Sequence, residues 1–343
     1  MQEPRATYPD GRPAAKRRLP AQDAGIVLRH GESATAFDPL TIREAQVTAH
    51  AGLFYMNYDA PGPRGWRTCL ATSPDLMTWE KKGPVLEPGS PGEPDSACAC
   101  SPWTVFDGSR WHIFYVGTPN ASPPPERIPG FPYLTLHATG PSPAGPWTKQ
   151  RGAAPFTTRE GTYYSITASP GCVIRHTGGY LMYFSATMPG PGGKGVLRTL
   201  GIARTRDLNA PWTVDPKPIL PPEEQVENSS LYFDESSGTW YLFTNHVGLD
   251  AYEYTDAVWV YESGDPERWD PSRRAVVLDG AVCGRRIIGM PSVTHHAGRL
   301  AMLYDTYVGE TMPGEGQSHM GRDIGLAWID PPPRPKFDAH KDP

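Results

Sequence analysis

The sequence predicts an all-β fold: a five-bladed β-propeller with four-stranded antiparallel blades around a central channel. Three observations carry that reading. Glycine and proline are dense, 36 and 40 of 343 residues. A unit about sixty residues long recurs five times. Each unit joins a glycine turn to an aromatic-rich strand and closes on a tryptophan.

The first observation bounds helix length. The longest stretches free of glycine and proline are Glu223–Ser237 and Leu249–Ser263. Proline costs about 3 kcal/mol inside a helix and glycine about 1 kcal/mol, so a helical bundle is excluded. Both stretches contain acids, which excludes a span of about 20 apolar residues. Disorder is excluded by 10 Trp, 16 Tyr and 10 Phe, because disordered chains are poor in aromatics. The net charge of −5 gives no basic surface for nucleic acid or an anionic membrane. The five cysteines are expected as free thiols, with Cys98 and Cys100 too close for easy bridging, which fits a reducing compartment. Met1 to Ala24 is polar, carries Lys16-Arg17-Arg18 and has no apolar signal-peptide core. A cytoplasmic location is expected, or a secreted or periplasmic one after removal of a leader.

The repeat supplies the elements in order. Its first hairpin turns at Gly52, Gly108, Gly179, Gly238 and Gly298, at spacings of 56, 71, 59 and 60 residues. The strand after each turn is apolar and aromatic, as in Trp111-His-Ile-Phe-Tyr and Trp240-Tyr-Leu-Phe, which suits strands. The next strand recurs as Cys69-Leu-Ala-Thr-Ser, Leu136-His-Ala-Thr-Gly, Gly201-Ile-Ala-Arg-Thr, Trp259-Val-Tyr-Glu-Ser and Gly325-Leu-Ala-Trp-Ile. Trp79, Trp147, Trp212, Trp269 and Trp328 close the units. Four strands and a closing tryptophan describe a propeller blade; a sandwich with accidental spacing is the alternative. The expected limits are a tail at 1–24, the propeller catalytic domain at 25–329 and a tail at 330–343. The long loops Thr118–Pro132, Met188–Leu197 and Gly309–Gly321 are expected to rim a site.

In a propeller the starts of the innermost strands meet at one end of the channel. Two of these starts carry a glutamate at nearly the same register, Glu44 and Glu227. Asp95 precedes the start of the second repeat. Trp103 can stack on a sugar face or serve as packing between blades. His246, Arg67, Arg322 and His319 are candidate site walls, and Arg198 holds a place in the third repeat similar to that of Arg67 in the first. Cys98-x-Cys100 has no second pair for zinc, and Pro189-Gly-Pro-Gly-Gly-Lys194-Gly lacks the spacing of a phosphate loop. No cofactor is expected to be required, and a channel-bound Ca2+ has no motif to support it.

With these residues in place, the chain resembles the five-bladed propeller glycoside hydrolases, most of all family 43, and is similar to families 32, 117 and 130. In family 43 an Asp-Pro-x-Val segment, whose aspartate is the general base, precedes Gly-x-Tyr-Tyr. Here Glu44-Ala45-Gln46-Val47 precedes Gly52-Leu53-Phe54-Tyr55, so the resemblance puts Glu44 on the base position. The family's general acid opens a Glu-Gly-Pro segment, and Glu227-Asn228-Ser229 puts Glu227 there. Asp75-Leu76-Met77-Thr78-Trp79 is a turn common in this group. The family's third acid has no counterpart at Ser169-Pro170, so Asp95 is the substitute considered. Asp38, in Phe37-Asp38-Pro39, is a competing base.

The resemblance implies a carbohydrate substrate and hydrolysis by two carboxylates, one protonating the leaving oxygen and the other activating water. Inverting, exo action on a furanoside- or pentose-type sugar is the expected form. A family-130-like phosphorylase, using Arg67, Arg198, Arg286 and Arg322 for phosphate, and a non-catalytic sugar-binding propeller are the alternatives.

Overall fold

The computed structural model describes residues 15–32, 37–152, 154–247, 255–309 and 319–337. Five sets of antiparallel strands follow the repeats. Blade 1 consists of Arg43–His50, Leu53–Gly62, Gly65–Ser73 and Glu80–Leu86. Blade 2 consists of Cys98–Phe106, Trp111–Thr118, Leu134–Gly140 and Thr148–Lys149. Blade 3 has an interrupted inner strand, Thr167–Ser169 and Val173–His176, followed by Gly179–Pro189, Val196–Thr205 and Thr213–Val214. Blade 4 consists of Val226–Asp234, Thr239–Val247, Thr255–Ser263 and Arg274–Asp279.

Blade 5 consists of Arg286–His296, Arg299–Tyr307 and Arg322–Ile329, and its outer strand comes from the other end of the chain. Gln22–Leu28 pairs antiparallel with Arg322–Ile329 and closes the ring. The stretches expected to be tails therefore contribute structure. Arg17–Arg18 pairs with Val276 in blade 4 and with Lys336–Phe337, and Ala15 and Leu19 are buried. Two register shifts and Gly25 at φ 89° interrupt the period-two pattern of Gln22–Leu28, so the segment does not read as a strand.

The hairpin turns follow the repeat with one adjustment. Ala51-Gly52, Thr177-Gly178 and Ala297-Gly298 have positive φ at both central residues, the geometry that matches strand twist in two-residue hairpins. In blade 3 the turn glycine is Gly178, and Gly179 begins the strand. Trp79 and Trp269 donate their indole N–H to Leu76 O and Pro266 O within the turns before the outer strands. Trp328 differs, lying inside the third strand of blade 5, because Gln22–Leu28 supplies the fourth.

Blades pack face to face, and buried clusters fill the junctions. Tyr58, Met56, Leu303, Leu326 and Leu28 join blades 5 and 1. Phe243, Val260, Met302 and Leu300 join blades 4 and 5, and Tyr183, Ile202, Leu242 and Trp259 join blades 3 and 4. Near the channel mouth each inner strand departs from regular pairing. Register shifts occur at Arg43/Gln46, Cys100/Trp103, Glu227/Ser230 and Gly289/Ser292. Blade 3 breaks its strand at Pro170–Cys172 in the same place.

Two tiers of side-chain hydrogen bonds stitch these irregular segments to the next blade. In the upper tier a second-strand residue accepts a bulge N–H from the following blade. Ser101 N gives to Asp59 Oδ1 and Oδ2 at 2.9 and 2.8 Å, Asn228 N to Ser185 Oγ at 2.8 Å and Met290 N to Asn245 Oδ1 at 3.4 Å. In the lower tier Val47 N gives to Ser292 Oγ, Thr104 N to Gln46 Oε1 and Val293 N to Ser230 Oγ. The junction of blades 2 and 3 departs in both tiers: the corresponding residues are Val116 and Trp103, and the bulge residue facing Val116 is Pro170, which has no N–H.

Removing residues 1–28 should uncover Ile324 and Leu326 in blade 5. Each buried aliphatic side chain contributes about 1.5–3 kcal/mol, so the shortened chain should lose at least about 3 kcal/mol. Circular dichroism melting should show a lower, broader transition.

Candidate active site at the channel mouth

The bulges decide which side chains reach the mouth. Glu44, Ser101, Asn228 and Met290 occupy corresponding places, with φ of 53°, 50°, 57° and 53°. Non-glycine residues held at such angles cost about 1–3 kcal/mol each and cluster at functional sites. The positions just before these four, and before Pro170 at the same place in blade 3, hold Arg43, Cys100, Glu227, Gly289 and Ser169. The two glutamates are thus one residue out of step: Glu227 precedes its bulge residue, whereas Glu44 is its bulge residue. Arg43 stands in blade 1 where Glu227 stands in blade 4, and Ser169 stands there in blade 3.

Glu227 is mostly buried, with 13% of its side chain exposed, and its Oε2 lies 3.2 Å from Arg198 Nε. Arg198 is itself fixed, its backbone N–H donating to Gln225 Oε1 at 3.1 Å. Asn245 faces Glu227 across the strand pair, and Thr244 Oγ1 donates to Glu227 O. On blade 1, Glu44 is 21% exposed and 3.9 Å from Arg43. Behind it lies Asp59, which is fully buried. Burial pushes the Asp59 carboxyl well above the ordinary carboxylate range, Cys100 and Glu44 add to the rise, and the Ser101 N–H and Arg43 oppose it.

A second polar group joins blades 5 and 1. Arg43 and Arg322 both reach the fully buried Asp305, at 3.4 and 3.2 Å. Arg43 also contacts His319 Nδ1 and lies 5.9 Å over the Trp66 ring. His319 meets Trp66 edge-on at 6.4 Å. Trp66, Tyr133, Arg198 and Arg322 correspond on the third strands, so Trp66, not Arg67, matches Arg198. Arg67 is one residue further along and pairs with Glu87 at 2.8 Å.

The remaining candidates lie away from this group. Asp95 is fully buried between blades 1 and 2, and Lys149, Arg151 and Tyr115 bond to its oxygens at 2.5, 2.7 and 3.0 Å. Burial alone would raise its carboxyl, but the bonds from Lys149 and Arg151 outweigh burial and hold it below the ordinary range. Its contacts make it a structural anchor and not a partner of Glu227. Asp38 is equally buried and is bound by Lys81 at 2.6 Å and Tyr58 at 3.1 Å. His246 packs its ring 4.5 Å from Trp259 in the core of blades 3 and 4. Trp103 is half-buried on the inner strand of blade 2, below the bulge.

Of the expected rim loops, Thr118–Pro132 is tied down by Trp66 Nε1 donating to Glu126 O and Thr118 Oγ1 to Gly130 O. It carries Phe131, exposed and edge-on to Tyr133 at 5.0 Å. Most of Gly309–Gly321, residues 310–318, lies outside the described residues. Among the described residues, no group of three or more His, Cys, Asp or Glu side chains is placed to hold a metal ion.

Solved structures share this arrangement of blades. A glycoside hydrolase superposes with a TM-score of 0.69 at 15% identity, over 93% of this chain and 96% of that one. The chain has the fold of the five-bladed propeller glycoside hydrolases. The catalytic domain of a Coprinopsis cinerea GH62 alpha-L-arabinofuranosidase gives 0.62 at 13% identity, over 91% and 97%. A thermostable family-43 glycoside hydrolase gives 0.61 at 15%, over 89% and 97%. No family model and no curated protein matches the chain.

Sequence reading passed over Asp59, though a signal was present. Asp59, Ser185, Asn245 and Asp305 each follow their turn glycine, Gly52, Gly178, Gly238 or Gly298, by seven residues. A recurrent polar residue ending an apolar strand marks the upper tier.

Asp95→Asn should destabilise the fold by about 1–3 kcal/mol at pH 7, because it leaves the largely buried Lys149 without its carboxylate, while Arg151 is part-exposed and keeps Glu93. Urea unfolding should show that loss. The depressed folded-state carboxyl gives stability above about pH 3.9, lost as pH falls through its lower folded value, so the gap to wild type should close in acid.

Proposed function

We propose that this protein is a glycoside hydrolase whose carbohydrate substrate enters the channel mouth, with Glu44 and Glu227 as the carboxylate pair. The observation that carries the reading is their placement: two mostly buried glutamates, presented by strained or bulged inner strands of blades 1 and 4, at the same end of the ring. Hydrolysis needs one carboxylic acid at the leaving oxygen and one carboxylate at water. The shared fold supports this reading, and the arabinofuranosidase among the similar structures supports a furanoside- or pentose-type sugar. The Thr118–Pro132 loop is tied to Trp66, the neighbour of Arg43 and His319; an ordered loop beside these residues favours exo action, and the family-43 resemblance favours inversion.

The arrangement of arginines favours water over phosphate as the acceptor. Arg67 is paired with Glu87, Arg198 with Glu227 and Arg322 with Asp305, while Arg286 is exposed on the rim. These four side chains are divided among separate partners instead of forming one anion cradle.

Glu227→Gln and Glu44→Gln should each lower kcat on a cleaved natural glycoside by about 10²–10⁴-fold, the usual worth of positioned acid–base groups. Thermal melting should stay within a few degrees of wild type for Glu44→Gln, while Glu227→Gln should melt lower because Arg198 loses its largely buried partner, so activity is compared at a temperature where circular dichroism shows both variants folded. Reducing-sugar release from arabinan and xylan fragments is the measurement; full activity in both variants would overturn the assignment.

A further inference from the structure

We infer that Asn57 and Asp59 hold an ordered water between blades 1 and 2, and that Asn57 acts through it as a positioning residue for the channel mouth. The water site stands on the fold alone. Its effect on turnover rests on the hydrolase reading above and deepens it.

Asn57 breaks a rule that the other blades keep. The second-strand residue two places before the upper tier faces the next blade. It is Phe114 in blade 2, Tyr183 in blade 3, Phe243 in blade 4 and Leu303 in blade 5. Each is fully buried and belongs to a junction cluster. Blade 1 has Asn57 at that place, equally buried. The asparagine side chain is smaller than any of the four, by more than the roughly 30 Å³ that a water takes up. Its amide is also bare: Oδ1 and Nδ2 are both buried, and neither has a partner among the described residues. Buried polar side-chain atoms nearly always bond to protein or to ordered water. A small polar residue where four blades carry a large apolar one, with both amide atoms unanswered, is the pattern of a built water site.

The neighbours of Asn57 are committed elsewhere, except one. Gln46, opposite it on the inner strand, accepts from Thr104 N and Oγ1 and gives to Val47 O and Thr48 Oγ1. Leu70, opposite it on the third strand, has no polar side-chain atom. Thr68 gives its hydroxyl to Ala99 O at 3.0 Å. Asp59 keeps capacity, because its two oxygens receive a single N–H, that of Ser101, and a carboxylate has about four lone-pair sites. Asn57 and Asp59 share one face of their strand, about 6.8 Å apart at Cα. One water spans such a gap with two bonds of about 2.8 Å. A cation would answer Oδ1 and the carboxyl but repel Nδ2. A water answers all three: it gives to Oδ1, accepts from Nδ2, and either gives to the Asp59 carboxylate or accepts from the acid. From Asp59 the link reaches the mouth. Asp59 pairs across blade 1 with Arg43, the residue before Glu44, and holds the strained Ser101 of blade 2 by its N–H. A tilt of this carboxyl shifts both.

A crystal structure tests the site, and turnover tests the role. Density for one water within hydrogen-bond reach of the Asn57 amide and an Asp59 oxygen is the expected result. An amide bonded directly to protein, a junction without density, or an anomalous peak after soaking in rubidium chloride would overturn the site, the last in favour of a cation. Asn57→Leu gives blade 1 the residue that blade 5 carries, so it should expel the water and melt at or above the wild-type temperature. Melting well below wild type would show that the junction has no room for a water. On a cleaved oligosaccharide the kcat of Asn57→Leu should fall about tenfold, the worth of one hydrogen bond, with KM within about twofold. Asn57→Ser keeps a polar group and leaves room for water, so it should melt below the leucine variant yet keep kcat within about threefold of wild type. Activity that follows stability across the two variants, or an Asn57→Leu chain as active as wild type, would overturn the positioning role. A wild-type chain inert on every glycoside would overturn the hydrolase reading and the positioning role with it, while the density still decides the water.

Discussion

The structure depends on how the inner strands keep their N–H groups satisfied while they bulge. A strand that closes a ring cannot stay paired up to the channel mouth, where five strands converge. Each one slips by a residue there and turns its backbone out of the ladder. Buried N–H groups must find acceptors, and here the next blade provides them. Asp59, Ser185 and Asn245 reach across to Ser101, Asn228 and Met290. The bond that satisfies the bulge is also the bond that joins the blades.

Because of this, architecture and chemistry use the same few residues. The bulge that strains Glu44 aims it at the mouth, and the carboxyl that receives the neighbouring bulge N–H, Asp59, is the one whose ionisation Glu44 and burial oppose. In blade 4 the corresponding pair is Asn228 and Asn245, which is neutral, and Glu227 takes its charge balance from Arg198 on blade 3 instead. The ring is five-fold in backbone and asymmetric in charge. On the blade 4 side the site is preorganised, since moving Glu227 means breaking its inter-blade pair with Arg198.

The repeat was legible because turns and apolar strands obey local rules. Gly52, Gly238 and Gly298 mark hairpins, and the strands after them alternate toward buried junctions. The one-residue offset between Glu44 and Glu227 was not legible, because a bulge adds a residue without changing composition or apolar period. The same slip made Arg67 look like the counterpart of Arg198, a place held by Trp66. Asp95 and Asp38 read as candidate catalytic acids because sequence shows the carboxylate and not the lysines that cover it, Lys149 and Lys81. Gln22–Leu28 went unread as a strand because its partner lies at the far end of the chain, beyond the reach of any local pattern.

That distant pairing has a consequence for synthesis. The backbone N–H of His30, just beyond the strand, meets Asp323 at a separation of 293 residues. A ribosome releases Gln22–Leu28 well before its partner Arg322–Ile329. Blades 1 to 4 can hydrogen-bond as they emerge, while the opening strand waits with no sheet to join. Loop-closure entropy rises only slowly with length, so the final docking is affordable, but it is a single late event. The ring can therefore close only at blade 5, after all four preceding blades have been synthesised.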